Sequence, residues 1–314
     1  MSNAAQNKQG KGLILVFFLI IFFFALLLLF AHFTLSSLKE SGEGNVSWGK
    51  SGGDVIGVVE VKGVIFESKK VIENLLRAEK DKSVKAIILR VESPGGSVGP
   101  TQEIYDEIIR IDKEKPVYAS FGSIAASGGY YIGAACRKIY ANAGTLTGSI
   151  GVIMHFMDLS KLYEFAKVKP GIIKSGLYKD IGSPHRKMTK EEKLYMKNML
   201  SGVHDQFKNH IMARRKSKIK GNIDDHAQGQ IFSGTVAKEL GLVDEIASLW
   251  TAGRAIFSEM NLKGDFKFKY IKEKRPFSLR DLVDDVEGIV EGIKFGSHNS
   301  FMPMYMMMNN KISG

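Results

Sequence analysis

The sequence contains one cysteine, Cys136, in 314 residues. A lone thiol excludes an internal disulfide framework and any multi-cysteine metal site. Cys136 directly follows the small apolar run Ile132–Ala135, which predicts a buried core position. No zinc-finger or RNA-recognition signature is present, and aromatic residues do not interleave with a basic run, so no nucleic-acid partner is expected. The phosphate loop G-x-x-x-x-G-K-[ST] is missing, no cofactor motif replaces it, and neither a cofactor nor a metal is expected. No internal repeat of fixed period is evident. Acidic residues are the minority, 33 Asp and Glu against 44 Lys and Arg, for a net charge of +11. Without a nucleic-acid signature, anionic lipid headgroups are the expected counter-charge. Hydrophobic residues make up 44%, enough for a substantial core and too many for global disorder.

What is present begins with Leu13–Ala31, an unbroken apolar run, LILVFFLIIFFFALLLLFA. At about 1.5 Å per residue a helix of this run nearly spans a hydrocarbon core of roughly 30 Å, and Gly12, Phe33 and Leu35 extend it. The rival is a cleavable signal peptide, whose apolar region is normally about 7–15 residues and ends at a small-x-small site. Ala31-His32-Phe33 is a poor site, so the expectation is an uncleaved anchor over residues 13–33. Lys8 and Lys11 precede the run with no acidic residue, which keeps residues 1–12 cytoplasmic and places the rest of the chain outside. Residues 34–53 are Ser/Gly-rich and read as a flexible linker.

Beyond the linker, strand-like and helix-like segments alternate. Val55–Val61, Lys85–Val91, Pro116–Ser120 and Lys138–Ala141 read as strands. Lys69–Lys80, Pro100–Lys113 and a segment starting near Ala125 read as helices, with Ile104, Ile108 and Ile111 forming one stripe. The alternation argues for an α/β fold built from βαβ units. A long basic helix is expected from Thr189 to about Lys218, opened by the capping box Thr189–Glu192. Shorter helices are expected at Ser233–Leu240 and Ser248–Met260. The main folded body is drawn as residues 54–262 and a tail as 263–314, the latter holding the Met-rich stretch Phe301–Met308.

Three glycine-rich turns follow successive strands: Ser93–Ser97 (SPGGS), Ala125–Gly129 (AASGG) and Thr147–Gly151 (TGSIG). Turns at the carboxyl ends of parallel strands are where α/β proteins place their sites. Paired glycines let backbone N–H groups approach a ligand closely, as an oxyanion hole requires. Ser127 is expected at a helix N-terminus, where the dipole favours an attacking alkoxide. On residue types alone, a catalytic serine, a simple tight turn with a serine N-cap, and a phosphate site remain open. A Ser-His-Asp triad would need His155 or His185 as base, but His155 lies in the apolar stretch IMHFM and reads as a core or edge histidine.

The combination VESPGGSV, SIAASGGYYIGA, GTLTGSIGVI and SGLYKDIGSPHRKMTKEE closely resembles the signal peptide peptidase A family (SppA), in its short single-repeat bacterial form. The resemblance covers roughly Asp54 to Met260, plus the anchor. It implies a ClpP/crotonase-like superhelix of βαβ units and a serine endopeptidase with a Ser–Lys dyad. It implies Ser127 as nucleophile, Lys179 as general base, Ser149 as the serine that orients the lysine, and Gly96 and Gly128 as oxyanion donors. Lys179 is one of 44 basic residues, so this assignment comes from the motif; Leu177, Tyr178 and Ile181 around it suggest a partly buried setting. Glu92 departs from the family, which more often has Asn or Asp there. The resemblance further implies remnant signal peptides and other apolar segments as substrates, and self-association of this chain into a ring, with an octamer expected. The expected location is the cell membrane, single-pass, with the catalytic domain extracytoplasmic. A broader quality-control peptidase for membrane proteins uses the same dyad. A catalytically silent membrane scaffold is the non-enzymatic alternative, disfavoured by the complete set Ser127, Ser149 and Lys179. Acyl-CoA chemistry is disfavoured outside the cytoplasm.

Overall fold

The computed structural model describes residues 53–272, together with positions 22, 23, 26 and 30. Those four, Phe22, Phe23, Leu26 and Phe30, are helical and exposed. Among the described residues no helix is long and apolar enough to cross a membrane. Apart from those four positions, the expected anchor 13–33 lies outside the described residues, as do tail 1–12, nearly all of linker 34–53 and the Met-rich stretch. The chain divides into two units. In the smaller, residues 1–54 with Lys263–Asp265, the Asp54 N–H donates to the Lys263 carbonyl at 3.0 Å and the Lys263 N–H returns to Asp54 Oδ2 at 3.1 Å.

The larger unit runs, in chain order, through β1 (Val55–Lys62), α1 (Lys69–Lys80), β2 (Val84–Ser93), α2 (Val98–Ile111), β3 (Val117–Ala126), α3 (Gly128–Ala134), β4 (Ile139–Ala141) and β5 (Leu146–Gly148). It continues through α4 (Ser160–Phe165), α5 (Lys190–Arg215), α6 (Ile223–His226), β6 (Ile231–Ser233), α7 (Gly234–Glu239), β7 (Glu245–Ile246), α8 (Leu249–Glu259) and β8 (Phe268–Tyr270). The strands form one sheet in the order β6-β5-β3-β2-β1-β8, with β4 bridging β3 and β7. All pairs are parallel except β5 with β6.

The continuous apolar run of β2 reports burial on both faces, as a central parallel strand requires. Ile87, Leu89 and Val91 enter one core cluster, while Ala86 and Ile88 enter the other. The first cluster receives Leu75 and Ala78 of α1, the stripe Ile104, Ile108 and Ile111 of α2, and Tyr130–Ala134 of α3. The second receives Ala252 and Ile256 of α8. Cys136 is 2% exposed in the first cluster, and burial pushes its thiol pKa well up, so it stays a neutral packing group.

β3 is long enough to serve two neighbours on one edge. Ala119–Phe121 pair with β4, and Ile124–Ala126 pair with β5. The fork leaves the carboxyl ends of β3 and β5 side by side. α5 begins at the expected capping box: Thr189 Oγ1 accepts from the Glu192 N–H at 3.1 Å and Glu192 Oε2 accepts from the Thr189 N–H at 2.9 Å. At its other end Arg215 is fully buried, donating to Asp244 Oδ2 and to the Gly241 carbonyl, each at 2.9 Å.

Two expectations need correction. The sheet extends past the boundary drawn at residue 262, because β8 pairs in parallel with β1 through Ile56–Phe268 and Val58–Tyr270. The apolar stretch around His155 is neither core nor strand. Ile153, Met154, Phe156 and Met157 are exposed, and exposed apolar side chains continue through Phe165 and Ile173 to Leu177. The stretch is apolar as read, but no described residue covers these side chains.

Candidate active site

Parallel register brings the two candidate serines together. Ala126 pairs with Gly148, so the next residues, Ser127 and Ser149, leave the sheet side by side. Both turn with positive φ, 52° for Ser127 and 49° for Ser149. Such backbone costs roughly 1–3 kcal/mol for a non-glycine residue and persists only where its surroundings fix it. Here the Ser127 N–H donates to the Gly148 carbonyl at 2.9 Å, and its own carbonyl accepts from the Tyr131 N–H at 2.9 Å. The Ser149 N–H donates to the Gln230 carbonyl at 2.6 Å.

The SPGGS turn packs so closely that neither Gly95 nor Gly96 has room for a side chain. Gly95 has φ 112°, and a Cβ there would lie 2.9 Å from Ser127 Cβ and 2.8 Å from Gly128 N. A Cβ on Gly96 would strike the Ile65 carbonyl oxygen at 2.1 Å. The bridge between Ile65 and Gly96 uses the Gly95 carbonyl and the Ser97 N–H, leaving the Gly96 N–H out of it. Gly128 opens α3, where N–H groups have no intrahelical acceptor. Glu92, the departure from the family pattern, props the same region: Oε2 accepts from the Ser123 N–H and Oε1 from Arg90, both at 2.8 Å.

Two hollows meet at Ser127. A cavity of about 120 Å³ is lined by Gly96, Gly128, Val98, Tyr131 and Phe207. Burial pushes the Tyr131 phenol up to about 12, so this wall is neutral at physiological pH. A cleft of about 660 Å³ lies on the other side, lined by Ser149, Gly151, Met196 and Leu200 among others. Gly96, Ser127, Gly128 and Ser149 are therefore gathered at one place.

Lys179 is not among them. It sits exposed in a turn, its N–H donating to the Gly176 carbonyl at 3.2 Å, and it lines neither hollow. Leu177 and Tyr178 are exposed rather than half-buried. Neighbouring Asp180 is taken by Lys174 at 2.7 Å and by Arg186 at 2.8 and 2.9 Å. Neither His155 nor His185 lines the hollows; His185 packs against Tyr163 with ring centroids 5.1 Å apart.

Three residues absent from the sequence-based site do line the cleft: Lys193, Lys197 and His204, all on α5. Their spacing, with Met196 and Leu200 between them, was the available signal, since residues three and four apart share a helix face. Among the described residues no group of His, Cys, Asp and Glu could hold a metal ion.

Comparison with known proteins finds peptidases. The model of peptidase family S49 matches residues 109–263, and that of Clp protease matches residues 61–146. A Synechocystis sp. protein that carries a protease name is 39% identical over 191 residues, covering 60% of this chain and 69% of its own. An Enterococcus faecium protein named as a signal peptide peptidase SppA is 37% identical over 182 residues, covering 58% of this chain and 53% of its own. The chloroplastic serine protease SPPA of Arabidopsis thaliana is 30% identical over 241 residues, 76% of this chain and 36% of its own. The chain thus spans about half of the Enterococcus relative and about a third of the Arabidopsis one.

Proposed function

The chain belongs to peptidase family S49 and is a serine peptidase, and on that premise we propose a Ser–Lys dyad of Ser127 and Lys179 acting on apolar peptide segments at a membrane. One observation carries the nucleophile: Ser127 stands in a strained turn where both hollows meet, with Gly96 and Gly128 beside it. Ser127 Oγ adds to the scissile carbonyl carbon as its proton passes to the neutral Lys179 amine. The Gly96 and Gly128 N–H groups donate to the developing oxyanion, a preorganised term worth several kcal/mol at roughly 2.7–4 per donor. The tetrahedral species collapses, the lysine returns the proton to the leaving amine, and water hydrolyses the ester with the same base. Ser149 orients the amine without adding charge.

The exposure of Lys179 favours a dyad completed between copies of this chain. The apolar arm around it, from Ile153 to Leu177, covers itself by docking on a neighbour and delivers the lysine there, within a ring held at the bilayer by the apolar N-terminal run. Docking also supplies desolvation, which a lysine base needs because the free ammonium, pKa about 10.4, holds its proton at neutral pH. The repeated βαβ turns fit a superhelical single repeat. Remnant signal peptides are the natural substrate class, by likeness to the Enterococcus relative's name. A quality-control peptidase for membrane proteins is the second reading, favoured by the breadth of the open cleft.

The test is peptide hydrolysis by Ser127→Ala and Lys179→Ala chains, singly and mixed. Each alone is expected to be inactive, and the mixture to recover activity. Near-native hydrolysis by either single variant would overturn the dyad. An inactive mixture from freely exchanging subunits would overturn its completion between copies.

A further inference from the structure

The cleft beside Ser127 is charged in one sense only. Its titratable lining groups are Lys193, Lys197 and His204, and no Asp or Glu lines it. The two lysines lie one turn apart on the same α5 face, above buried Met196. Neither makes an ion pair with a described residue. Of the three acids on α5, Glu192 is engaged by Arg186 at 2.6 Å and Asp205 by Lys208 at 3.0 Å, and exposed Glu191 pairs with neither lysine. His204 adds a buried Nε2 with no hydrogen-bond partner among the described residues. An unpaired buried ring nitrogen costs free energy unless something fills the space before it.

A simply solvated basic face is the plainer account. On such a face, charges of both signs are normally interspersed, as the rest of α5 shows with Glu191, Glu192 and Asp205. Between Glu192 and Asp205, the stretch that carries Lys193, Lys197 and His204, α5 has no acidic residue. Ser127 lines the same cleft, so a peptide held there lies against the nucleophile, and a peptide substrate is the occupant we take.

We infer that the α5 wall of the Ser127 cleft, carrying Lys193, Lys197 and His204, is a carboxylate-binding subsite that favours peptides with an acidic side chain or free C-terminal carboxylate near the scissile bond. The inference rests on Ser127 being the nucleophile. The two hollows then divide the substrate. The cavity lined by Val98, Tyr131 and Phe207 takes an apolar side chain, and the cleft takes an anion on the other side of the bond.

The experiment uses the full chain in detergent and one apolar peptide in three forms. A Glu replaces a Gln at each position near the cleavage point; a free C-terminal carboxylate replaces an amide; the neutral parent is the reference. The expected result is a kcat/KM about fivefold higher for a carboxylate-bearing form, carried by KM, since one or two partly exposed ion pairs contribute on that scale. Glu scanning and terminus exchange tell which carboxylate is read. The preference should collapse toward one in Lys193→Gln/Lys197→Gln, and in the unmodified chain as ionic strength rises from about 0.05 to about 0.5 M. Equal kcat/KM for all forms, or a preference that survives both the substitutions and the salt, overturns the inference. Absence of serine-dependent hydrolysis would instead overturn the nucleophile. Peptide binding to the Ser127→Ala chain, followed by fluorescence anisotropy, reads the same carboxylate preference without hydrolysis and decides the subsite either way.

Discussion

Gly95 packs so close to Ser127 that a Cβ on it would lie 2.9 Å from the serine's own Cβ. Gly95→Ala forces a methyl group against Ser127 Cβ and Gly128 N while leaving every catalytic side chain intact. Displacement of a nucleophile by about 1 Å can cost on the order of a hundredfold in rate. Gly95→Ala is therefore expected to lower kcat by at least about tenfold with near-ultraviolet circular dichroism little changed; native kcat would show that the turn can relax. Lys179→Arg is expected to be as inactive as Lys179→Ala, because a guanidinium stays protonated and cannot act as base. Recovered hydrolysis in the arginine variant would remove lysine from the proton path. Much of this was legible in the sequence. Gly-rich turns after successive strands announce a site, and parallel register then places Ser127 against Ser149. Lys193, Lys197 and His204 were not legible, because which face of a long helix meets a cleft is set by packing far from the residues themselves.

At the scale of elements, the start of α5 is fastened twice. The Thr189–Glu192 capping box satisfies two helix-end donors, and Thr189→Ala is expected to cost about 1 kcal/mol, read as a lowered Tm. Arg186 then ties Asp180 to Glu192, linking the Lys179 turn to the helix. The Arg186 guanidinium holds the Glu192 carboxyl down to about 2, below its ordinary value near 4.5, and holds Asp180 low as well. Because both carboxyls are depressed on folding, the clamp contributes fully above about pH 4.5 and is lost as pH falls toward about 2. The Tm difference between the native chain and Arg186→Gln should shrink between about pH 5 and about pH 3; an unchanged difference would mean the clamp is idle. The cap was readable from four letters because its partners are local. The clamp was not, since Arg186 and Asp180 meet only through the folded turn.

At the scale of the molecule, the arm between β5 and α5 is apolar and uncovered. Phe165 is 86% exposed and Ile173 fully so. Contiguous apolar surface of this kind marks an interaction site. Phe165→Asp with Ile173→Asp is expected to shift light scattering toward monomer and to abolish hydrolysis while helix content is kept. A monomer that stays active would separate catalysis from assembly. The sequence pattern showed the apolar residues but could not say that no described residue covers them, since periodicity reports burial without reporting by whom.

β8 has a consequence for the order in which the molecule comes together. Its pairing with β1 joins strands from opposite ends of the larger unit, whereas the turns around Ser127 are closed by β2, β3 and β5, which lie near one another in sequence. Loop closure over a long span is slow because its entropy is lost before any contact offsets it. During synthesis the nucleophile's turn therefore forms well before the sheet is sealed at its β1 edge. That edge, with its row of unpaired N–H and C=O groups, is open to another chain until Phe268–Tyr270 arrives. The last described strand acts as a latch, and a nascent chain that stalls before residue 268 presents the nucleophile's turn on an unfinished sheet.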